Sequence, residues 1–409
     1  MAGNPSVRGA ICYELESAFA EDVTTFATLR LPVVGAVDTT GLKHDKQDAQ
    51  RVVQRRNDGT QPILMTQGGS VKMKFWLTGH GSATSGATSL SGMETFLGYV
   101  FGASAVSSST GTTATGGTAA APTTAAANGF TAGSLGRLGT LGDGRGGGQF
   151  FAVSSHSAST LNLLTAIGAS PTNGDVVYSA ATISVKEDPT TATTPSSIRL
   201  LLQTANLEYE CHGCVATNVT FGGLAAAQVP YVEVTFSIAW WRYSIATFPS
   251  AVATETFQPA ATATGIMFLN SVGTATYATR TVRDFSIDYK LGMEMLMGSG
   301  GIGTYQAIVG AARTPDAITV SWVEDADAAT TTPVLPGYGT GTTAYHLLYT
   351  CNPTAQKAVG FYFPNLCVTN VATQMSQNNV NRLKITAQAY TGTTTTTDLT
   401  ASAFRMGWA

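Results

Sequence analysis

The stretch "GSGGIG" (298–303) meets the G-x-G-x-x-G spacing through Gly298, Gly300 and Gly303. Glycines so spaced let a pyrophosphate approach a helix N-terminus closely, and an acid further on takes a ribose hydroxyl. "MEMLM" precedes the motif as a strand would, "TYQAIVGAA" (304–312) follows as a weak helix, and "AITVSWVED" brings Glu324 and Asp325. Against a dinucleotide site, the corresponding loop upstream, "GHGSATSGATSLSG", carries no fingerprint, and no further βαβ pattern lies behind the motif. The Glu-Asp pair runs on into "ADAATTTP", a loop. A flexible Gly/Ser connection accounts for the letters more simply.

"CHGC" (211–214) encloses His212 between Cys211 and Cys214. Structural zinc takes four ligands, and this motif supplies two thiolates. Cys12, Cys351 and Cys367 are scattered, so a small buried thiol is the simpler reading. His44, His80, His156, His212 and His346 form no H-E-x-x-H or comparable ligand spacing. "AGSLG" (132–136) loosely resembles a nucleophile elbow around Ser134, without the preceding strand that strains such a turn. "GDGRGGG" (142–148) lacks the Lys-Ser/Thr of a phosphate loop and reads as a hinge. The chemistry-bearing motifs therefore point to a non-enzyme with no catalytic residue, no metal and no cofactor.

The remaining concentration of chemistry is charge. "KHDKQDAQRVVQRRNDG" (43–59) holds Lys43, Lys46, Arg51, Arg55 and Arg56 of the chain's 22 Lys and Arg, mixed with Asp45, Asp48 and Asp58. The bland reading is a solvated loop. The sharper one is an interaction loop whose arginines make bidentate pairs with acids of a neighbouring subunit. "VEDADA" (323–328), with Glu324, Asp325 and Asp327, is a candidate acidic partner.

Composition narrows the setting. The 409 residues suffice for two domains, or for one large β domain with ample core. Charged residues make up 11%, under half of the usual share of about 25%. Gly, Ala, Thr and Ser fill the difference, which suits a surface buried in an assembly or a Thr-rich surface protein. The net charge of −3 and a pI near 6.0 argue against a nucleic-acid reader, whose domains are basic with pI above about 9. An odd cysteine count in a long chain is no disulfide framework. No signal peptide opens the sequence, and no apolar run is long enough to span a membrane. The default expectation is a soluble protein made in a reducing cytoplasm.

Strands dominate the elements that must position these residues. "YVEVTFSIAWW" (231–241) alternates, with Val232, Val234, Phe236, Ile238 and Trp240 on one face and Glu233, Thr235 and Ser237 on the other. "VKMKFWL" (71–77), "FSIDYKL" (285–291), "AITVSWV" (317–323) and "RLKITAQAY" (382–390) behave alike. One helix is expected in "LSGMETFLGYVFG" (90–102), with Leu90, Met93, Leu97 and Val100 or Phe101 on one face and Ser91 as N-cap. Residues 104–148 are low in complexity and read as a surface insertion or mobile loop, because such a stretch cannot bury enough apolar area alone. "PSAVATETFQPAATATG" (249–265) reads as a linker.

"GCVATNVTF" (213–221) and "LCVTNVATQ" (366–374) look like one phrase said twice. The similarity extends outward as a shared order of elements. Copy one runs "VKMKFWLTG", Gly/Ser loop, "METFLGYVFG", insertion, strands, "CVATNV" and "VEVTFSIAWW". Copy two runs "FSIDYKLGMEM", Gly/Ser loop, "TYQAIVGAA", "ITVSWV", "CVTNV" and "LKITAQAY". A tandem duplication is the expectation: a first domain over 1–248 with charged loop 36–61 and insertion 104–148, a linker over 249–270, and a second domain over 271–409.

The pattern resembles the tail tube (major tail) proteins of long-tailed bacteriophages. The features that carry the resemblance are a strand, Gly/Ser loop and short helix ("LSGMETFLGYVFG"), then "GCVATNVTFGG", the closing strand "VEVTFSIAWWRY" and a long charged loop between early strands. It covers most of 8–248 and, more faintly, 271–409. The insertion departs from the pattern. The resemblance implies a mainly β chain of two tandem β-sandwich or barrel-like domains, each with a flanking short helix. It implies rings, trimeric with pseudo-sixfold symmetry or hexameric, stacked into a hollow tube through Lys43–Asp58. Its partners would be further copies of itself and other tail proteins such as the tape measure, terminator and distal tail proteins. Double-stranded DNA would pass through the lumen without specific binding, no membrane would be involved, and the protein would reside in the virion tail after assembly in the host cytoplasm. Glu208 and Glu210 in "LEYEC" share one strand face and are lumen candidates, an outward solvated face being the alternative. The competing readings are another virion or cell-surface β protein (decoration, distal-tail or surface-layer) and a nucleotide-binding oxidoreductase through "GSGGIG".

Overall fold

The computed structural model describes residues 10–21, 31–42, 45–47, 63–66, 68–79, 92–101, 111–125, 130–139, 148–185, 197–204, 207–224, 228–243, 266–272, 279–280, 282–297, 308–314, 316–325, 344–351, 358–375, 381–391 and 402–408. The chain begins with β1 (Ala10–Leu15), β2 (Leu31–Pro32), β3 (Asp45–Gln47), β4 (Ile63–Thr66), β5 (Gly69–Trp76) and helix α1 (Gly92–Phe101). An inserted group follows: β6 (Thr112–Gly117), β7 (Pro122–Thr124), β8 (Leu135–Leu138), β9 (Phe150–Ser157), β10 (Thr160–Leu163) and β11 (Val176–Ser179). The first half closes with β12 (Ala181–Ser184), β13 (Ile198–Thr204), β14 (Leu207–Gly222), β15 (Tyr231–Ile238) and β16 (Trp240–Tyr243). The second half opens with β17 (Ile266–Ser271), β18 (Thr279–Arg280), β19 (Val282–Lys290), β20 (Met293–Met297) and β21 (Ile308–Arg313). It ends with β22 (Ala317–Asp325), β23 (Tyr345–Cys351), β24 (Val359–Met375), β25 (Asn381–Ala389) and β26 (Arg405–Trp408). The protein is mainly β, and α1 is the one helix among the described residues.

Both halves follow one pairing scheme. In the first, β2 pairs β1, β1 pairs β13, β13 pairs β14, β14 pairs β15 and β15 pairs β5, all antiparallel. In the second, β18, β17, β23, β24, β25 and β22 repeat that order with the same sense. The long strands β14 and β24 hold the same place in each. The first part of β14 lies between β13 and β16, and the first part of β24 lies between β23 and β26. β19 runs along β22, and the segment 33–42 touches β5 at the isolated bridges Asp38↔Lys72 and Leu42↔Gly69, with Leu42 N closing a turn on the Thr39 carbonyl at 3.0 Å between them. The hairpin β3–β4 follows that segment, and the hairpin β20–β21 follows β19.

This scheme corrects the alignment made by letters. "VKMKFWL" was set against "FSIDYKL", yet β5 occupies the place of β22, "AITVSWVED", and "FSIDYKL" (in β19) answers to 33–42. Every strand here alternates, so alternation alone does not fix which strand matches which; the pairing partner does. The flanking helix expected over 304–312 is likewise corrected: Ile308–Arg313 is a strand paired antiparallel with Met293–Met297. β-branched Ile308 and Val309 beside Gly310 favour the extended form. The linker bounds 249–270 take in β17 from its start at Ile266, whereas the stretch 249–265 ends just before it.

The low-complexity insertion is also corrected. β6, β7 and β8 fall inside it and join β9, β10 and β11 in a closed six-stranded barrel of order β10-β7-β6-β11-β8-β9. Thr112 and Ala114 point in while Thr113 and Thr115 point out. The barrel's core comes largely from outside the Thr-rich stretch, through Phe151, Val153, Leu161, Leu163, Ile167 and Val177 with Phe130. A Thr-rich segment that could not fold alone is thus completed by apolar residues from strands beyond it.

One main core spans both halves. α1 buries Met93, Phe96, Leu97, Val100 and Phe101 on its apolar stripe, and Phe96 packs against Tyr13 and Phe75 at 5.1 Å each. Leu90 and Ser91 lie outside the described residues. Phe404 ties the halves, its ring lying 5.5 Å from Phe101 and from Phe363, 5.7 Å from Tyr289 and 5.9 Å from Phe221. β26 pairs β24 of its own half and β12 of the other. The barrel reaches across as well: Phe150 N donates to Thr350 Oγ1 at 3.2 Å, and Arg405 Nη1 donates to the Gly133 carbonyl at 3.2 Å.

Candidate assembly surface

The repeated phrase forms one local structure twice. In the first half the register passes from Ala216↔Phe236 to Asn218↔Thr235, leaving Thr217 as the extra residue of a β-bulge. In the second it passes from Val368↔Ala387 to Asn370↔Thr386, leaving Thr369. Each bulged threonine donates its hydroxyl across the pair, Thr217 Oγ1 to the Thr235 carbonyl at 3.2 Å and Thr369 Oγ1 to the Thr386 carbonyl at 3.1 Å. A second bulge also matches. Ile198↔Cys214 is followed by Leu200↔Cys211, and Tyr345↔Leu366 by Leu347↔Phe363. The cysteines equated by letters are therefore one place apart: Leu366, not Cys367, stands where Cys214 stands. Cys214 is buried and Cys367 partly exposed, as opposite strand faces require.

"CHGC" is thus the bulge in β14. Burial pushes both thiols up, Cys214 well above the usual range, so neither is poised as a thiolate. Gly213 has φ +61°, and a Cβ there would sit 2.6 Å from that of Ala239, so the bulge needs glycine. His212 stacks on Trp240 at 4.1 Å and donates from Nδ1 to the Glu21 carbonyl at 2.8 Å. "GSGGIG" lies outside the described residues, but the strands on either side pair antiparallel. A dinucleotide fingerprint needs a helical crossover between parallel strands, and this is a hairpin. Ser134 Oγ donates to the Thr131 carbonyl at 2.8 Å and accepts from its N–H at 3.2 Å, holding a turn.

Of the charged loop, Asp45 and Lys46 lie on β3, whose partner is β4. Lys43, Asp48, Arg51, Arg55, Arg56 and Asp58 lie outside the described residues, as does Asp327. Glu324 is 0% exposed and ion-paired with Arg280 at 3.3 Å, which withdraws it as a partner for a neighbouring subunit. Asp325 is held by Arg283 at 2.8 Å and Arg382 at 3.3 Å. Of the two lumen candidates, Glu210 is withdrawn by its burial. Glu210 is buried and accepts from Arg242 Nε at 2.5 Å, and Glu208 accepts from Gln203 at 3.4 Å. Glu210 sits where β14 is flanked by β13 and β16, and Glu208, half-buried, pairs with Gln203 of β13. Charged residues on an alternating strand were read as outward because burial of an ion pair leaves no mark in one strand's letters.

The broad polar face lies elsewhere, on β5, β15, β14, β19, β22, β25 and β24. Ser237, Thr235, Thr220, Ser286, Thr319, Ser321, Thr386 and Gln388 are half-buried or exposed along it. Some of its charges are matched across strands, while Lys290 and Lys384 stand exposed on the same face. Lys72 Nζ meets Glu233 Oε1 at 2.7 Å, Lys74 lies 3.5 Å from the Tyr231 ring centroid, and Thr220 donates to Asp288 at 3.1 Å. The bond to Glu233 raises the Lys72 pKa, and Arg283 holds the Asp325 carboxyl below its usual range. Such a face presents mainly hydroxyls and amides, with part of its charge compensated.

The two halves meet edge to edge in this sheet. β14 pairs β19 at Asn218↔Lys290, Val219↔Tyr289, Thr220↔Asp288 and Phe221↔Ile287, and Leu291 N donates to the Thr217 carbonyl at 3.0 Å. Beyond Leu366, β24 pairs β25 on one edge, and among the described residues no strand lies along the other. The sequence reading did not find this edge. The signal was present in the threonine of the first "TNV", whose bulge lies where β19 joins.

No helix among the described residues is long and apolar enough to cross a membrane. Neither a protein-family model nor a curated protein sequence matches the chain.

Proposed function

We propose that the chain is a structural subunit of a phage-type tail tube, built by tandem duplication of one β unit and assembling itself into rings that stack around a hollow channel. The observation that carries this reading is the β14–β19 junction. It sets two copies of one pairing scheme side by side in a single sheet, as neighbours in a ring would sit. Two units per chain fit a trimeric ring with pseudo-sixfold symmetry, with a hexamer as the alternative.

The polar face supports the same reading. A channel for DNA must let a polyanion slide, and fixed cations facing phosphate would hold it. On this face Lys72 and Arg382 each face an acid, and screening over about 8–10 Å weakens the pull of Lys290 and Lys384, which are exposed there. Tape measure, terminator and distal tail proteins are the further partners of such a tube, and the virion tail is its location.

Negative-stain electron microscopy of the purified protein across a concentration series tests the proposal. The expected result is hollow rings that stack into tubes as concentration rises. Monomers at every concentration would overturn it, and flat lattices would point to a surface-layer protein.

A further inference from the structure

We infer that the slot between β12 and β24 is a strand-accepting site, which residues 402–408 enter after the strands on either side have formed, and that this docking fixes the angle between the halves that assembly requires. The docking site stands on the pairing scheme alone, and its link to assembly rests on the self-assembly reading above.

The two halves differ at one joint. In the first, Ala239 alone separates β15 from β16, and both lie along β14. In the second, residues 390–404 separate β25 from β26. Yet Ala389 faces Leu366 and Arg405 faces Tyr362, a short step along β24. Fully extended, a segment of that length spans several times the step. Residues 402–408 can therefore leave and re-enter while β25 keeps its place. The strands they join all precede them in the chain. β1, β2, β5, β13, β14, β15 and β16 each find a partner within the first half. β12, buried throughout, takes β26 as its one strand partner among the described residues.

The slot reads a strand as strand addition does, with backbone pairing for affinity and alternate side chains for specificity. β26 pairs β12 from Ala181↔Trp408 to Ser184↔Arg405, and β24 from Val359↔Trp408 to Tyr362↔Arg405. Phe404, Met406 and Trp408 enter the main core, each 0% exposed. Arg405 and Gly407 meet the barrel instead. Arg405 bonds the Gly133 carbonyl, and a Cβ at Gly407 would sit 3.0 Å from Leu135 Cδ1. Two more bonds reach the first half, from Val185 N to Ser402 Oγ at 3.2 Å and from Trp408 Nε1 to the Thr78 carbonyl at 3.1 Å. The ligand is thus an extended peptide with apolar side chains at alternate positions and glycine between the last two.

Without this strand, the pairing between the halves runs along one edge, β14 on β19. Units paired along one edge can pivot about it, and a second pairing through β26 removes that freedom. A head-to-tail contact closes into a ring only when the rotation per unit is right, so a pivot between the halves opposes closure.

The test uses the full-length chain with Phe404→Ala and Trp408→Ala, together with a synthetic peptide of residues 400–409. The variant is expected to unfold at lower temperature and to form no rings. The peptide should raise its thermal transition saturably and restore rings, whereas the same peptide with Gly407→Leu should do neither. Leu200→Ala, a core variant on β13 that keeps 402–408 intact, should gain nothing from the peptide. In the wild type, native-state hydrogen exchange should open β12 and β26 together, at lower free energy than β13 and β14. Equal protection of β12, β13 and β14, or a folded variant that the peptide leaves unchanged, would overturn the docking site. Stabilisation by the peptide without return of rings would overturn its link to assembly. A wild type that forms no rings would overturn the tube reading and leave the docking site standing.

Discussion

At the scale of single residues, the motif with the most chemistry in its letters serves the backbone. The bulge at His212 and Gly213 is locked to the turn after β1 by Glu16, whose carboxylate accepts from Ser197 Oγ at 2.5 Å, Gly213 N at 2.9 Å and Ala20 N at 3.0 Å. Trp240 Nε1 donates to the Ala20 carbonyl at 3.1 Å on the same turn. Burial raises the Glu16 pKa, against the opposing pull of these three donors. The folded state therefore holds that proton more tightly than the unfolded chain. This contribution is fully present below the ordinary glutamate range and is lost as pH rises through the raised folded value. Glu16→Gln leaves donors facing an amide and should cost about 1–3 kcal/mol. Because the variant lacks the titration, its deficit relative to wild type should be larger at pH 4 than at pH 7 in denaturant unfolding. A deficit that grows toward pH 7 would show that the three donors outweigh burial.

At the scale of elements, the two threonine bulges make a matched pair that can be weighed. Thr217→Val and Thr369→Val each remove one cross-strand hydroxyl bond, worth about 0.5–1.5 kcal/mol, with the larger loss at the more buried Thr217. The double variant should be additive within about 0.5 kcal/mol by denaturant midpoint, since the sites share no partner; strong coupling would mean that the halves do not unfold as the pairing scheme suggests. The strands themselves were legible. Val232, Val234, Phe236 and Ile238 face inward as their alternation requires, and Met93, Leu97, Val100 and Phe101 mark the helix stripe. What was not legible depended on partners distant in sequence. The Thr-rich insertion became a barrel because Phe151 and Leu161 supplied its core. Ile308–Arg313 became a strand because Met293–Met297 lay beside it. Glu324 looked exposed until Arg280 was placed.

At the scale of the whole molecule, the repeated scheme gives the chain two arms that point the same way. Segment 33–42, β5, β15, β14 and β19 are successive antiparallel neighbours, so the first and the last run in one direction. The hairpins that follow them, β3–β4 and β20–β21, leave the same end of the sheet, each as a separate two-stranded ladder. The first belongs to the charged segment with Lys43, Arg51 and Arg55. The second is apolar through Met293, Met295 and Leu296, the last 43% exposed. A two-stranded hairpin alone is marginal in water, and an exposed leucine at its rim is better covered by a partner. If rings join side by side through the sheet edges, this end of the sheet faces the next ring. Both arms then stack, one by charge and one by burial. Leu296→Glu should leave the thermal transition within the small range of surface substitutions, about 0.5 kcal/mol, and preserve single rings while shortening or abolishing tubes in electron micrographs. Arg51→Glu with Arg55→Glu should do the same through the other arm, and its defect alone should depend on salt. Tubes of normal length from Leu296→Glu would confine stacking to the charged arm and remove the second hairpin from the contact.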